Sequence, residues 1–448
     1  MADDWLPNLD RIAGAKYTVI ADALGDAIDN GSLPGGTRLP PQRDLAERLG
    51  VDLTTVTRAY DAARRRGLIE ARGRAGSFVR APQRVEIADL ARVDTGMNLP
   101  PELPGGLLAR TIADTVSALL LDASPLRLQY QAMGGNAEDR AAGVRFLAAA
   151  GLPAEPDQLI LTAGGQNALH AILGVALRQG EAVLCRRFVY SGFRAIAQRL
   201  GIRLIGLDVL DAASIAAACA ADPRIRAIYL VPTNDNPTAE TLDQTARREI
   251  AAAAVRHDLQ VIEDDAYGPL AAMPLAPVAA HAPDRSWYIA SASKIISPAL
   301  RVAYLRAPHV AAALQLAAHV HQTAVMAPPL NAAMLTRWIG DGTATRLIAA
   351  MRAEAARRQT LAADLLRGLD FTAHPQGYHL WLRLPDAVAP NDLADAMRPT
   401  GLSVMPADRF GAGDARVNAV RVSLGGLADD DQLARALRIL HGHAAAAV

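Results

Sequence analysis

The pattern of hydrophobic and polar positions differs between the first 80 residues and the rest of the chain. In residues 1–80, apolar positions recur every three or four residues, as on one face of a helix. "YTVIADALGDAIDNG" predicts a first helix that can end at Gly31, "PQRDLAERLG" a second that ends at Gly50, and "LTTVTRAYDAARRR" a third after Asp52. "LIEARGRAGSFV" then predicts two short strands around a glycine-rich turn. This order is typical of a winged helix-turn-helix.

From about residue 105, helical segments alternate with short apolar runs. The runs are "LILT" (159–162), "AVLC" (182–185), "AIYLV" (227–231), "LQVIE" (259–263), "WYIAS" (287–291) and "RVAYL" (301–305). The alternation predicts an α/β domain with a mostly parallel central sheet, which binds ligands at the carboxyl ends of its strands. Residues 81–104 hold four prolines without sustained periodicity and predict a linker. We therefore predict domains at 1–80 and 105–448, the second with a large part to about 345 and a small part from about 346.

Composition narrows the class of protein. The 448 residues have a formal net charge of zero, so no overall field indicates a polyanionic partner. Two cysteines, Cys185 and Cys219, argue against a disulfide framework and fit a reducing cytoplasm. The acidic start "MADDWLPNLD" predicts no signal peptide, and charged or polar residues interrupt the Ala-rich runs before the ~20 residues of a membrane span. We predict neither a membrane partner nor a metal site.

The charge is nevertheless uneven. Residues 38–84 carry eleven arginines and five acidic residues, a net charge of +6 in a neutral chain. A local basic block is the electrostatic pattern of a nucleic-acid-binding module. A solvated face is the alternative interpretation of the charge, and an interaction module without DNA is the alternative interpretation of the helices.

The stretch "GSLPGGTRLPPQRDLAERLGVDLTTVTRAYDAARRRGLIEARGRAGSFV" resembles the GntR family of bacterial regulators throughout its length. The resemblance rests on the glycine turn, "LP", "R.LA..LGV", "TV.RAY" and the glycine-rich wing. A third helix in the major groove would bring side chains to base edges and phosphates, and the second helix and the wing would add contacts. The candidate DNA-contacting residues are Arg43, Thr54, Thr55, Arg58, Arg72 and Arg74.

Polar motifs follow several predicted strands of the second domain. After the first strand, two glycines in "TAGGQNALHAI" open a helix whose N-terminus can hold a phosphate. Asn236 follows the strand "AIYLV", and "EDDAY" places Asp264 and Tyr267 after the next. "SASKIISPALR" holds Lys294, one of two lysines among 46 basic residues. A Schiff base requires a primary amine, which arginine cannot supply, whereas a lone lysine is usually a surface residue.

Together these motifs, which occur in the order expected, resemble fold-type I pyridoxal-phosphate enzymes of the class I and II aminotransferase family, over roughly residues 95–448. The resemblance implies that Lys294 is the catalytic residue and holds pyridoxal 5'-phosphate as an aldimine. Asp264 would pair with the pyridine nitrogen and strengthen the electron sink. Asn236 and Tyr267 would hydrogen-bond the phenolic oxygen. The expected phosphate ligands are Gly165, Gln166, Ser291 and Arg301.

Three further residues take roles from the same resemblance. Tyr190, in "FVYSGF", would stack on the cofactor ring. Tyr130, in "YQAMGGNAEDR", would reach the phosphate bound by the partner subunit. Arg421, in "AVRVSLGG", would clamp the α-carboxylate of a substrate or effector, a task that suits the two nitrogens of a guanidinium.

A GntR-like arm followed by an aminotransferase-like body resembles the MocR type of regulator. That type uses pyridoxal phosphate, usually with an amino compound, to switch transcription, and tends to form head-to-tail homodimers. We therefore predict a regulator that binds double-stranded DNA and senses the cofactor, or an amino-acid-like or amine effector, by aldimine chemistry. The complete site leaves a second hypothesis open, a catalytically active aminotransferase with an accessory N-terminal arm, because a fold alone does not decide function.

Overall fold

The computed structural model of the chain has two compact units, Met1–Val93 and Asp94–Val448. It describes residues 5–7, 9, 15–29, 32–71, 73, 76–79, 96–121, 128–427 and 429–445. Arg72 and Arg74, and the predicted helix end at Gly31, lie outside the described residues. Residues 96–104, the end of the predicted linker, belong to the second unit.

The first unit has three helices followed by an antiparallel hairpin, which confirms the winged helix-turn-helix. Its elements are α1 (Lys16–Asp29), α2 (Gln42–Leu49), α3 (Leu53–Arg65), β1 (Ile69–Ala71) and β2 (Ser77–Val79). Gly50 ends α2 with φ of 61°, a left-handed conformation that glycine adopts at little cost. Asp52 occupies the N-cap position of α3 as predicted, but its side chain makes no cap hydrogen bond.

One face of α3 packs into the core of the first unit. Val56, Tyr60 and Ala63 are buried there, as their spacing predicts. The hydroxyl of Tyr60 donates a hydrogen bond to the carbonyl oxygen of Pro40 at 2.8 Å, so the phenol is satisfied inside the core. Burial of this face leaves the opposite face of α3, with Thr54 and Arg58, exposed to solvent.

The second unit is built on a seven-stranded sheet. Its strands are β3 (Leu159–Thr162), β4 (Ala182–Arg186), β5 (Arg203–Leu207), β6 (Ile225–Leu230), β7 (Gln260–Asp264), β8 (Ser286–Ser291) and β9 (Ala303–Arg306). They lie in the order β3-β9-β8-β7-β6-β4-β5, and β9 alone runs antiparallel to its neighbours, so the mostly parallel sheet is confirmed. The sequence did not predict β5, since this edge strand is only half-buried and lacks a continuous apolar run.

Helices join these strands. They are α4 (Leu107–Leu121), α5 (Ala137–Ala149), α6 (Gly165–Ala176), α7 (Ser191–Arg199), α8 (Ala212–Ala221), α9 (Gln244–Arg256), α10 (Ala292–Ile295), α11 (Val310–Ala324), α12 (Pro329–Gly340) and α13 (Thr343–Leu365). The strands β3 and β8 are buried along their whole length, as expected for a sheet covered on both faces. Within the described part of the chain, no helix is long and apolar enough to cross a membrane.

The C-terminal part forms a second, antiparallel sheet with a separate apolar core. Its strands are β10 (Phe371–Ala373), β11 (His379–Arg383), β12 (Ser403–Pro406) and β13 (Ala419–Ser423), in the order β10-β11-β13-β12. Two helices complete it, α14 (Pro390–Met397) and α15 (Asp430–Ala445). The pairing places His379 opposite Ser423 and Trp381 opposite Arg421 on the two central strands.

Candidate functional site

Three neighbouring parallel strands end beside one another, and a polar residue follows each end. Asn236 comes after β6, Asp264 ends β7, and Lys294 lies in α10 directly after β8. Because the carboxyl ends of parallel strands meet at one edge of a sheet, these three side chains converge. The candidate site is built around them.

Two of the three consecutive acids accept hydrogen bonds from neighbouring segments of the chain. Glu263 accepts hydrogen bonds from the backbone nitrogens of Val278 at 3.0 Å and Ala279 at 2.7 Å. Asp265 accepts a hydrogen bond from the hydroxyl of Tyr288 at 2.6 Å. Burial raises the pKa of Glu263 to about 8 and also raises the pKa of Asp265. These two carboxyls are anchored by donors, and the middle acid faces a different set of partners.

Asp264, the middle acid, is held by a buried tyrosine. The hydroxyl of Tyr229 donates a hydrogen bond to Asp264 Oδ2 at 3.2 Å, and the Tyr229 ring stacks on Phe193 with centroids 3.6 Å apart. Burial raises the pKa of Asp264 to about 7, while the Tyr229 hydrogen bond and the charge of Lys294 oppose that rise. A cation placed against Asp264 would favour its ionised form. Sequence reasoning missed Tyr229, because it sits inside the apolar run of β6.

Lys294 lies close to the chain segment at residues 96–98. Its Nζ donates a hydrogen bond to the carbonyl oxygen of Asn98 at 2.6 Å, and its own carbonyl accepts one from the hydroxyl of Tyr378 at 3.0 Å. Burial lowers the pKa of Lys294 to about 8, with a further lowering by the charge of Arg421 and an opposing effect of Asp264. A neutral amine near this pH is a nucleophile for a carbonyl carbon.

The loop after β3 and the turn before β9 form a cradle suited to an anion. A Cβ atom at Gly164 (φ 87°) would lie 3.2 Å from Arg301 Cζ, and a Cβ atom at Gly165 would lie 3.8 Å from Ser291 Oγ. Arg301 has φ of 48°, a left-handed conformation that is costly for a side-chain-bearing residue, and its Nη2 donates to the carbonyl of Ala163 at 3.0 Å. The backbone nitrogens at the start of α6 add positive potential here.

Tyr190 and Gln166 pack against each other at the side of this cradle. A Cβ atom at Gly192 would come within 2.5 Å of both Tyr190 Cζ and Gln166 Oε1, so only glycine fits between them. Burial raises the pKa of Tyr190, the charge of Asp264 raises it further, and Arg301 lowers it. Tyr190 therefore lies within electrostatic reach of both ends of the predicted cofactor site.

Arg421 is 1% exposed and lies at the same site. Its Nη1 donates to Asn236 Oδ1 at 3.0 Å, its Nη2 donates to the carbonyl oxygen of Gly96 at 2.7 Å, and its guanidinium lies 5.1 Å above the Phe410 ring. Both acceptors are neutral oxygens. A ligand carboxylate would be a charged and therefore stronger acceptor for the same two nitrogens.

Residues 96–98 enter the site, although the sequence predicts a linker there. Asn98 is 1% exposed, and its Nδ2 donates to the hydroxyl oxygen of Tyr267 at 3.0 Å and lies 3.1 Å from His379 Nδ1. Its Oδ1 accepts a hydrogen bond from the hydroxyl of Ser423 at 2.8 Å. The stretch "TGMNLPPELP" has no period that marks it as buried, so sequence reasoning missed Asn98 and Gly96.

Other predicted residues lie apart from this cluster. Tyr130 is 82% exposed, on the loop before α5. In the first unit, Arg43, Thr54 and Arg58 are exposed and Thr55 is half-buried. The guanidinium of Arg58 lies 4.8 Å above the ring of Tyr17, so its charge is held on the surface of α1 and α3.

Comparison with known families agrees with the fold of the two units. Residues 102–440, well over half of the chain, match the family described as "Aminotransferase class I and II". The chain belongs to the class I and II aminotransferase family. Residues 16–79 match the family described as "Bacterial regulatory proteins, gntR family". An aminotransferase domain thus follows a GntR-family helix-turn-helix domain, the arrangement of the MocR type of regulator.

The related proteins include some named as transcriptional regulators and some named as aminotransferases. The chain is 27% identical over 447 residues to the "Uncharacterized HTH-type transcriptional regulator YdeF" of Bacillus subtilis strain 168, covering 97% of this chain and 96% of that protein. It is 28% identical over 440 residues to the "HTH-type transcriptional regulator TauR" of Rhodobacter capsulatus, covering 89% and 90%. In structure it resembles LysN, the alpha-aminoadipate aminotransferase of Thermus thermophilus, with a TM-score of 0.68, 24% identity and coverage of 78% and 91%.

Members of this aminotransferase family use pyridoxal 5'-phosphate, and the residues present here fit that cofactor. A Cβ atom at Gly164 would crowd the Arg301 guanidinium and one at Gly165 would contact Ser291, so glycine at both positions keeps these two anion-binding groups clear of side chains. The buried Ser293 Oγ, one residue before Lys294, has no hydrogen-bond partner among the described residues. An amine, a deep carboxyl and an anion cradle at one site match the aldehyde, the ring nitrogen and the phosphate. The cofactor of this domain is pyridoxal 5'-phosphate.

Proposed function

We propose that the protein is a DNA-binding transcriptional regulator whose aminotransferase-like domain senses pyridoxal 5'-phosphate, an amino compound, or both. The observation that carries the proposal is the presence of Lys294 and its site in one chain with a GntR-family domain. In a chain that also carries a DNA-binding domain, ligand binding can change the affinity for DNA without catalytic turnover. The names of YdeF and TauR, which match along most of their length, support this function over that of an enzyme alone.

Each residue of the site has a proposed task. The cofactor, when bound, supplies an electron-poor ring and an aldehyde group that reacts with the Lys294 amine. Asp264 would hold the ring nitrogen, with Tyr229 fixing its carboxylate. Asn236 and Tyr267 would hydrogen-bond the phenolic oxygen, and Tyr190 would cover one face of the ring. The phosphate would bind Gly165, Gln166, Ser291 and Arg301, and the exposed Tyr130 would reach the phosphate of a second subunit.

We propose an amino-acid-like or amine effector. Lys294, whose pKa burial lowers to about 8, would be displaced by the amine of the effector, and Arg421 would bind its carboxylate. The regulator would act in the cytoplasm as a head-to-tail homodimer on double-stranded DNA. Arg43, Thr54, Thr55 and Arg58 would contact the DNA, together with Arg72 and Arg74 of the wing.

The segment 96–98 offers a route from the site to the DNA-binding domain. Lys294 Nζ donates to the carbonyl of Asn98, and Arg421 Nη2 donates to the carbonyl of Gly96. A cofactor attached through Nζ and a carboxylate bound by Arg421 would compete with these two hydrogen bonds. Because the chain leads from this segment back to the helix-turn-helix, we propose that ligand binding acts on DNA affinity through residues 96–98.

A paired measurement tests the proposed function. DNA selected by the full chain from a random pool gives the operator, and operator affinity is then measured with and without each of a panel of amino acids and amines. Stopped-flow absorbance follows amine exchange at Lys294 for the same panel. We expect at least one ligand to change operator affinity by about 5–150-fold.

Two results together would favour the enzyme instead. One is transamination of some ligand with kcat near the enzyme median of ~10 s⁻¹. The other is unchanged DNA binding with every ligand and after removal of the cofactor.

A further inference from the structure

Three polar groups form a buried relay that ends at Tyr267. His379 Nε2 lies 3.0 Å from the carbonyl oxygen of Asp235, and His379 Nδ1 lies 3.1 Å from Asn98 Nδ2. Asn98 Nδ2 also donates to the hydroxyl oxygen of Tyr267 at 3.0 Å. Asn98 and His379 are 1% and 0% exposed, so water does not compete for these bonds.

The first link fixes the histidine tautomer. A backbone carbonyl can only accept a hydrogen bond, so His379 Nε2 must carry a proton to donate to Asp235. Burial lowers the pKa of His379 to about 3, which keeps the ring neutral. A neutral imidazole has one N–H, so Nδ1 is an acceptor.

The acceptor at His379 Nδ1 then fixes the orientation of the side-chain amide of Asn98. Because His379 Nδ1 accepts, Asn98 must present its NH₂ group on this side, and its Oδ1 then accepts from the hydroxyl of Ser423 at 2.8 Å. Both Nδ2 protons are used, one toward His379 and one toward Tyr267. The Tyr267 oxygen accepts a hydrogen bond from Asn98 Nδ2, so the proton of the Tyr267 hydroxyl must point away from Asn98.

We propose that Asn98 is a positioning residue that, with His379, fixes Tyr267 as a hydrogen-bond donor to the phenolic oxygen of the cofactor. The inference rests on the cofactor role proposed above for Tyr267. The backbone carbonyl of Asp235, which can only accept hydrogen bonds, sets the direction of every bond in the relay. Neither Asn98 nor His379 would touch the reacting atoms, and both would act through the tyrosine hydroxyl.

The test is a spectral pH titration of the protein with pyridoxal phosphate bound at Lys294. A donor to the phenolic oxygen stabilises its anion, so Tyr267→Phe should raise the pKa of the bound cofactor by about 1–2 units, the effect of one charge-assisted hydrogen bond. Asn98→Asp replaces the donor with an acceptor and should turn the tyrosine proton away from the cofactor. The pKa of the bound cofactor should then rise by a similar amount. His379→Asn keeps an acceptor for Asn98 and should leave the pKa near that of the unchanged protein.

A double variant separates the relay from a direct charge effect. In Tyr267→Phe/Asn98→Asp, the second substitution should add little, because the hydroxyl on which Asn98 acts is absent. An Asn98→Asp shift that persists undiminished in the Tyr267→Phe background overturns the proposal, and so does an unchanged pKa in Asn98→Asp alone.

A second measurement observes the His379 tautomer directly in the unsubstituted protein and does not use DNA binding. Nitrogen-15 NMR of histidine-labelled protein, with the His379 signal assigned by its loss in His379→Asn, reports which ring nitrogen carries the proton. We expect the Nε2–H tautomer with and without the cofactor. An Nδ1–H tautomer or a charged ring overturns the proposal. Since neither measurement involves the operator, both can succeed while the regulatory function fails, and the reverse also holds.

Discussion

Lys294 Nζ lies 2.6 Å from the carbonyl oxygen of Asn98, although 196 residues separate the two in the chain. Lys294 carries the amine that we propose for the cofactor, and Asn98 follows the connection to the DNA-binding domain in the chain. The contact brings the Lys294 amine against the segment from which the chain leads back to the helix-turn-helix. The proposed attachment of the cofactor would use the same nitrogen that donates this hydrogen bond.

The pH dependence of cofactor attachment follows from the pKa of Lys294, which burial lowers from its usual 10.5 to about 8. Below pH 8, the rate at which the cofactor-free protein becomes coloured should rise about tenfold per pH unit, and above it the rate should level off, since only the neutral amine attacks.

Lys294→Ala should bind the cofactor without a covalent link. Borohydride reduction and peptide mass mapping locate the link, and a label on any other residue contradicts the assignment.

The stability of the cofactor-free protein should fall as pH rises from about 4 to about 8. Burial raises the pKa of Asp264 to about 7, of Glu263 to about 8 and of Asp235 to about 6. In this window the unfolded chain releases protons that these three carboxyls retain in the folded protein, so the carboxyls lower the free energy of unfolding as pH rises. His379, whose pKa burial lowers to about 3, opposes them by one proton below pH about 6.5, so the fall should be steepest between about 6.5 and 8. Urea denaturation at a series of pH values measures the slope.

The substitution Asp264→Asn should make that slope shallower, because an amide does not titrate. The matched control is Asp370→Asn, the same change at an exposed carboxyl that contacts Arg383 on the surface. A slope that stays the same in Asp264→Asn, or that changes equally in the control, contradicts the prediction.

Arg421→Lys should weaken binding of amino acids by roughly 10–100-fold and leave binding of amines without a carboxylate unchanged. Lysine offers a point charge where the two guanidinium nitrogens reach Asn236 and Gly96, and a bidentate hydrogen bond to a carboxylate is lost. Titration of the visible absorbance with each ligand gives the two affinities. Arg383→Lys on the surface is the control, and equal losses for both ligand classes would rule out a carboxylate-specific role.

DNA binding should reside in residues 1–80 and depend steeply on salt. Each phosphate neutralised adds about 0.9 to the slope of log affinity against log salt. Arg58→Ala, at an exposed arginine of α3, should lower that slope by about 1 or relax specificity at one base by about 1–3 kcal/mol. Arg66→Ala is the control, since its guanidinium is bound by Asp22 at 2.5 Å. Equal DNA binding by a fragment that starts at residue 105 is the contradicting result.

Gly96→Ala should reduce the ligand-dependent change in operator affinity without removing DNA binding. Gly96 has φ of 66°, so a side chain there strains the segment whose carbonyl accepts from Arg421. Gly180→Ala is a matched control, because Gly180 has φ of 87° in open space. The ratio of operator affinities with and without ligand is the measurement. The proposed route through residues 96–98 fails if both variants respond to ligand alike.

The sequence determined the local elements and the residue types that the chemistry needs. Helical periodicity predicted α3 and its buried face with Val56 and Tyr60, and apolar runs predicted six of the seven strands of the large sheet within two residues. The sequence also singles out Lys294 as the candidate residue for the cofactor, because a Schiff base needs an amine that arginine lacks. These features are local, so periodicity and residue chemistry are sufficient to read them.

Only the tertiary structure decided which distant residues complete the site. Asn98 lies in a stretch without periodicity, and its burial comes from contact with Tyr267, His379 and Ser423, which are 169 to 325 residues away in the chain. Tyr229 sits in an apolar strand whose pattern predicts burial but not a hydrogen bond to Asp264. Hydrogen bonds between distant segments depend on how strands and loops pack, and no single segment of the sequence carries that information.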